Sequence, residues 1–442
     1  MFENVLGQSV ISLLSQDIRG GMLAPSMLFF GPEASGKGST ALELGRILSC
    51  ENQAATGAWN CSCPACDRHR KLTHPDLLLL GSRAFSAEIA ASAAAFLRNP
   101  DTQATRFLFI RSVRKLLARF SPVLWEDDPK IAKLNLLIQS LDEALDEIGT
   151  ADPDVLKKTV DGILKNSFKL EAEGVSSQIP VAHIRRASFW SRLAPQGKRK
   201  LLVIENADRM QDGARNSLLK ILEEPPETVS IVLASAHPEA LLPTILSRLR
   251  PYRFNARDKE VEAEVVRKIF RDPASPPVSI QAYLESFLPI SGETLYPLAA
   301  LFTASVTMAA SITLKRGGYP LTGALVSLGK HTAPIAEAAG LGRPREDIQS
   351  LVSTVLKGAD NFDIRSRFSR FLQHLLTLVG ESLNTIRLGA PDASASLDAV
   401  ACRDTWRAAI REAELSVGTY NLSPAIAMEK LAFDLREAMA QR

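Results

Sequence analysis

Gly31-Pro-Glu-Ala-Ser-Gly-Lys37-Gly-Ser-Thr40 follows the apolar run Met27-Leu-Phe-Phe30 and precedes a helical pattern over 41–48. A strand, a glycine-rich turn and a helix, in that order, are the setting in which such a stretch reads as a phosphate loop. Gly31 and Gly36 let backbone N–H groups close around phosphate oxygens, the helix N-terminus adds partial positive charge, and Lys37 supplies a point charge. The pattern next asks for Ser or Thr, whose hydroxyl holds Mg²⁺. Here the residue is Gly38, with Ser39 and Thr40 just beyond it. The loop is built for nucleotide phosphates but lacks part of the usual metal-handling chemistry.

Around this loop the chain has room for two or three domains, since its 442 residues exceed what one core normally organises. A hydrophobic content of 46% with 23% charged residues is that of an ordinary globular protein. The net charge of +3 is too small to imply nucleic acid by itself; only local basic patches could matter. Asp76 and Ser82 bracket the short run Leu77-Leu-Leu-Leu80, and no apolar stretch is expected to approach the roughly 20 residues of a membrane span. Met1-Phe-Glu-Asn-Val lacks the basic and apolar regions of a secretory signal. A cytoplasmic protein with no membrane partner is expected.

Two further short apolar runs, Lys200-Leu-Leu-Val-Ile204 and Ser230-Ile-Val-Leu-Ala-Ser235, have the length and β-branched content of buried parallel strands. With the run at 76–80 they predict a doubly wound α/β domain. Pro225-Pro226 ends the helix that carries Leu218, Leu219 and Leu222. Residues 104–120, 130–148 and 153–170 each show helical spacing. The first is basic (Arg106, Arg111, Arg114, Lys115, Arg119), the second ends acidic (Asp142, Glu143, Asp146, Glu147), and both are expected to be solvated charged faces, with a nucleic-acid contact as the alternative for the basic one. Helix is again expected near 258–270. A proline-rich break at 272–277 follows, and the rest reads as helical, with Ser423 and Pro424 starting the last helix.

Four of the five cysteines, Cys50, Cys61, Cys63 and Cys66, crowd into one segment, which in a reducing compartment points to a bound metal. His69 is a substitute ligand should Cys61 and Cys63 not both reach. Cys402 stands apart and reads as a small buried apolar residue in a helix.

Several segments together resemble one family. These are Phe2-Glu-Asn-Val-Leu-Gly-Gln8, the loop at 31–40, His74-Pro-Asp-Leu77, Ile179-Pro-Val-Ala-His-Ile-Arg185, Ile204-Glu-Asn-Ala-Asp-Arg-Met210, Asn216-Ser-Leu-Leu-Lys-Ile-Leu-Glu-Glu-Pro-Pro226 and Pro243-Thr-Ile-Leu-Ser-Arg-Leu249. The chain is similar to the clamp-loader branch of the AAA+ ATPases, in the delta-prime type found with bacterial DNA polymerase III. The resemblance covers residues 1–80 and 176–255, the C-terminal helices loosely, and the segment between 80 and 176 not at all.

The resemblance implies a RecA-like parallel sheet in an AAA+ domain at 1–255, containing a zinc module at 50–66 and a helical insertion at 82–175. A helical lid at 256–329 and an all-helical collar at 330–442 would follow. Hydrolysing members place Asp-Glu after the apolar strand; this chain has Glu205-Asn206, and an amide cannot act as the general base. With Gly38, two separate parts of the magnesium and water machinery are altered. Gly31, Gly36, Lys37, Gly38, Ser39, Glu205 and Asn206 would then form a nucleotide site that holds ATP and Mg²⁺ weakly or not at all, and turns nothing over. Ser247-Arg248 matches the family's trans-acting pair, in which the arginine reaches the triphosphate bound by a neighbouring subunit. Leu249 stands where the family usually has cysteine.

Cys50, Cys61, Cys63 and Cys66 match the family's structural zinc module in place, with altered spacing. The implied partners are gamma/tau-type ATPase subunits, a delta-type subunit, a sliding clamp and primer–template DNA. Arg185, Arg186, Arg192, Lys198, Arg199, Lys200, Arg209 and Lys220 are candidates for phosphate contacts. The alternative is an active gamma/tau-type ATPase of the same family.

Overall fold

The computed structural model describes residues 1–52, 57–126, 128–148, 152–176, 178–273, 279–288, 292–317, 323–345, 347–356, 364–418 and 422–440. Part of the proline-rich break, 274–277, lies outside the described residues. The chain divides into two compact units, Met1–Leu288 and Pro289–Arg442.

In the first unit the apolar runs become β1 (Ser26–Phe30), β2 (Leu77–Gly81), β3 (Lys200–Glu205) and β4 (Val229–Ser235). With β5 (Arg250–Arg253) they form a parallel sheet of order β2-β3-β4-β1-β5. In register, Leu79 lies beside Val203, Val203 beside Val232, and Leu28 beside Leu233. Because side chains alternate across a strand, the runs supply both faces of the sheet. Leu28, Leu78, Leu80, Leu202, Ile204 and Leu233 enter one core; Met27, Phe29, Leu79, Leu201, Val203 and Val232 enter the other. Helices Val10–Arg19 and Lys37–Ser49 cover the second face, and the remaining helices of the unit gather mainly on the first.

The sequence does not foretell β5. Its residues Arg-Pro-Tyr-Arg carry no apolar run, and Pro251 fits only a strand with a free edge. Tyr252 nevertheless anchors it, packing edge-on against Phe29 at 5.7 Å and donating its hydroxyl to buried Asp17 at 2.6 Å.

The segment between β2 and β3 is helical, as expected, with helices Ser86–Arg98, Gln103–Leu117, Pro129–Asp146, Pro153–Gly174 and Val181–Arg192. The expectation of solvated charged faces is overturned for the basic helix. Arg114 and Arg119 are buried; Arg114 pairs with Asp146 at 2.7 Å and Asp142 at 3.5 Å, and donates to Lys71 O at 3.2 Å. Arg111 donates to Arg70 O at 3.3 Å. These arginines bind the helical segment to its own acidic helix and to the cysteine segment, which removes them from nucleic-acid contact.

The second unit is all helical, from Gly292–Gly317 to Pro424–Ala440. Ser423 Oγ accepts from Ile426 N at 3.4 Å where the last helix begins. The expected lid–collar divide at 329/330 falls within helix Gly323–Ala338. One expectation is corrected here: Leu295–Arg316, with mean hydropathy 1.6, is long and apolar enough to cross a membrane by length and composition. It is a core helix in this fold. Leu298, Phe302, Val306 and Ala310 are buried, and Phe302 meets Phe371 edge to face at 5.5 Å. Trp406 is fully buried in the same unit, where truncation to alanine would cost about 3–5 kcal/mol.

Candidate functional site

The loop after β1 has the backbone of a phosphate cradle. Gly31 has φ 144°, and a Cβ there would stand 2.1 Å from Phe254 O; Gly36 enters the helix at φ 97°. Side-chain-bearing residues avoid both conformations. Lys37 Nζ lies across the loop, donating to Gly31 O at 2.6 Å, Pro32 O at 2.5 Å and Ser35 Oγ at 3.3 Å. Burial lowers its pKa to about 8, against the opposing pull of Glu33, Glu205 and Asp208. Ser39 is half-buried in the first helical turn. Thr40 Oγ1 donates to Gly36 O at 2.9 Å, so that hydroxyl serves the helix itself.

Glu205 ends β3 beside this loop, and its carboxylate is already claimed. Oε1 is 3.3 Å from Arg83 Nη1, and Oε2 bonds Arg119 Nη2. Arg83 Nη2 continues to Glu88 Oε2 at 2.5 Å, and Lys115 Nζ closes the chain on Glu88 Oε1. Both guanidinium groups also lie over the Phe85 ring, Arg83 at 5.3 Å and Arg119 at 5.2 Å from its centroid. Burial opposes ionisation of both carboxylates. The neighbouring cations win, taking Glu88 to about 2 and lowering Glu205. Arg83 is raised by its two carboxylates in spite of burial.

Gly38 faces this carboxylate: a Cβ on it would be 2.5 Å from Glu205 Oε1 and 3.6 Å from Arg83 Nη1. The residues present therefore do not fit a magnesium ion. There is no hydroxyl at position 38, the space for one is filled, and neither oxygen of Glu205 is free to coordinate. Asn206 sits in the left-handed region at φ 52°, ψ 51°, which asparagine tolerates, and opens the short helix Ala207–Arg209. Sequence reasoning missed Arg83, Glu88, Lys115 and Arg119 as site residues. The one hint was the pairing of a long carboxylate at 205 with a missing side chain at 38.

Ser247 and Arg248 follow the short helix Pro243–Leu246. Arg248 Nη2 pairs with Glu223 Oε1 at 2.8 Å, and its Nη1 donates to Thr244 O at 2.7 Å and Ser247 Oγ at 3.4 Å. The arginine side chain remains 33% exposed, so in the single chain it is tethered at the surface and accessible.

The four cysteines converge. All four Sγ atoms lie within 4.8 Å of one another, and Cys50 and Cys61 are 3.7 Å apart. A tetrahedral four-thiolate site with bonds of about 2.3 Å has sulfur–sulfur edges of about 3.8 Å, so the set fits zinc. Burial raises the Cys63 thiol, but N–H donors from Glu51 and Cys66 outweigh it and bring the pKa to about 7. Arg46, fully buried, donates to Cys66 Sγ at 3.6 Å, to Ala58 O and Gly57 O at 2.9 Å, and pairs with Glu43. Its cation offsets negative charge on the thiolates. His69 is not among the converging ligand atoms, which are the four cysteine sulfurs: its Nε2 bonds Ser49 Oγ at 2.9 Å, and the ring stacks on His74 at 4.2 Å.

Several expected DNA-facing cations are spent internally. Buried Lys200 donates to Trp190 O at 2.7 Å, Arg199 to Ser230 Oγ at 2.8 Å and Arg186 to Leu124 O at 2.8 Å, while Lys198, though exposed, donates to Cys50 O at 2.6 Å. Arg185, Arg192, Arg209 and Lys220 are exposed.

A phosphate loop after β1, an acidic residue ending β3 and this strand order define an AAA+ α/β domain, here joined to a helical C-terminal region. The family model described as "DNA polymerase III, delta subunit" matches residues 7–133 and 151–258, and the chain belongs to that family. The match takes in most of 82–175 and breaks off between 133 and 151. DNA polymerase III subunit delta' of Pseudomonas aeruginosa is 42% identical over 82 residues, 18% of this chain and 25% of that protein. The Bacillus subtilis delta' subunit is 36% identical over 80 residues, 18% and 24% of the two chains. The gamma/tau subunit of Mycobacterium tuberculosis is 39% identical over 71 residues, 16% and 12%. The matched stretches thus span a quarter or less of these relatives. Among solved structures, a gamma subunit-related protein from Thermotoga maritima aligns over 59% of this chain and 80% of its own, at 19% identity and TM-score 0.28.

Proposed function

We propose that this chain is a non-hydrolysing, delta-prime-type subunit of a DNA polymerase III clamp loader. In this reading Arg248, steadied by Ser247, acts in trans on ATP held by a neighbouring gamma/tau-type subunit while the complex places a sliding clamp on primed DNA in the cytoplasm. The observation that carries it is the occupied metal position: Glu205 is bound by Arg83 and Arg119 and presses against Gly38. With Asn206 in place of a general base, the described residues at the loop offer neither the usual metal ligand nor the usual water-activating carboxylate. Arg248 needs only to exchange its single contact with Glu223 for phosphate oxygens, which a guanidinium can grip in bidentate fashion.

The cysteine set holds structural zinc, with all four positions filled by protein and none left for chemistry. The helices after residue 255 serve as a lid and as the collar that joins a delta-type subunit and the ATPase subunits, with the divide between them lying outside helix Gly323–Ala338. Exposed Arg185, Arg192, Arg209 and Lys220 are the cations available to DNA phosphates.

The second reading, an active gamma/tau-type ATPase, has similarity to gamma/tau relatives in its favour. Reconstitution with ATPase and delta-type subunits plus a clamp separates the two. Arg248→Ala should depress DNA-stimulated hydrolysis and leave assembly intact. Loss of assembly would assign Arg248 to packing, and hydrolysis by the isolated chain that Lys37→Ala abolishes would establish the second reading.

A further inference from the structure

Magnesium is what the family's nucleotide sites imply beside the phosphate loop, and the residues of this chain disagree with it. We propose that the guanidinium groups of Arg83 and Arg119, brought to the loop on Glu205, stand in for the divalent cation, so that nucleotide phosphates are held here without metal. This rests on Gly31–Thr40 being a phosphate loop and is independent of the role of Arg248.

Three observations carry it. Position 38 offers neither a hydroxyl nor space, because the Glu205 carboxylate occupies what a side chain there would fill. Both oxygens of that carboxylate are bonded to arginine, whereas Mg²⁺ demands six oxygens in near-octahedral array and gives up its waters reluctantly. The cluster also has the charge a phosphate needs. Among the described ion pairs, Arg83, Lys115 and Arg119 meet Glu88 and Glu205, three cations to two carboxylates, while Glu33 and Asp208 act on Lys37 beside them.

Arg119 is 4% exposed, and its Nε and Nη1 have no hydrogen-bond partner, so donor capacity remains in the cluster. Arg83 is the cation with access: its side chain is 32% exposed, and Nη1 lies 3.6 Å from the Cβ position of Gly38, at the first turn of the phosphate-loop helix. A dication approaching this place meets two guanidinium groups; a phosphate oxygen meets donors shaped for it. The helical segment between β2 and β3 therefore has a chemical task at the loop, since both arginines come from it.

The test is titration of the full chain with ATP by calorimetry. One arm uses metal-stripped buffer without chelator, so that any metal at the cysteines is kept; the other adds saturating Mg²⁺. The two dissociation constants should agree within about twofold, a difference too small to represent a metal ligand. Arg83→Ala should weaken metal-free binding by about tenfold or more, the scale of a lost charged hydrogen bond, and Arg83→Lys should recover part of it. ATP binding that appears only with Mg²⁺, that Mg²⁺ tightens about tenfold, or that is absent from the metal-free arm overturns the proposal. The two wild-type arms decide it even if a variant fails to fold. A deficit of Arg248→Ala in the reconstituted complex, together with magnesium-dependent binding at this loop, would sink the inference and leave the proposed function standing.

Discussion

Restoring the hydroxyl residue that phosphate loops ordinarily carry should harm this protein. In Gly38→Ser, the new Cβ arrives 2.5 Å from Glu205 Oε1, so the carboxylate has to move. It is not a free side chain, being held by Arg83 at 3.3 Å and by Arg119 on its other oxygen. Turning it away surrenders at least the Arg83 bond, and hydrogen bonds to charged groups contribute about 1.5–3 kcal/mol. Against this, serine in place of glycine in a helix gains about 0.5 kcal/mol. The net is a loss of about 1–2.5 kcal/mol. At about 2–4 °C per kcal/mol for a unit of this size, the melting temperature should fall by roughly 2–10 °C. Calorimetry suits the measurement, because the two units need not melt together. Adding Glu205→Asp, whose carboxylate is one methylene shorter, should return much of the loss, with a coupling of about 1 kcal/mol between the two sites. A Gly38→Ser protein as stable as the wild type, or one whose melting is unaffected by Glu205→Asp, would refute the reasoning.

Arg248→Ala removes an exposed ion pair that contributes about 0.2–1 kcal/mol, so its melting temperature should hardly move. Stimulated ATP hydrolysis in the reconstituted complex should nevertheless fall by about 10³ or more. Glu223→Gln frees the same arginine and should raise that activity by up to about fivefold, the pair energy expressed as an equilibrium. Zinc should be found in stoichiometric amount by atomic absorption; Cys61→Ser or a strong chelator should release it and loosen the packing around Arg46, seen as lost near-ultraviolet dichroism. ATP affinity should fall with rising pH above about 8, by up to about tenfold per unit, because Lys37 loses its proton there and a neutral amine does not attract phosphate. A flat profile between pH 7 and 10 would detach Lys37 from the bound phosphate.

The parts of this fold that sequence reveals are those fixed by short-range pattern. β1, β3 and β4 are brief apolar runs bounded by turns, and the glycines at 31 and 36 mark where backbone must turn tightly. β5 escapes because its position comes from pairing with β1 and from Tyr252 reaching Asp17, neither of which leaves a local trace. The cysteine set is legible because clustering is itself the signal, whereas the distraction of His69 by Ser49 and His74 is not. Least visible is the arginine cluster. Arg83, Arg119 and Glu205 come from three separate stretches, and basic helices are so often solvated that the bland expectation was the natural one. The apolar stretch within Leu295–Arg316 is hard to see in sequence because threonines and serines break its texture, yet Thr303 and Thr307 turn their hydroxyls back onto Ala299 O and Ala304 O.

Helices between β2 and β3 share a single core with the sheet. Leu78, Leu80, Leu202 and Ile204 pack with Phe96, Phe109, Val113, Leu141 and Ile163. Trimming the chain to a shorter version without residues 82–175 would uncover part of the core on one side of the sheet and leave Glu205 stripped of both its counterions. What looks in sequence like dispensable upholstery is part of a wall of the room.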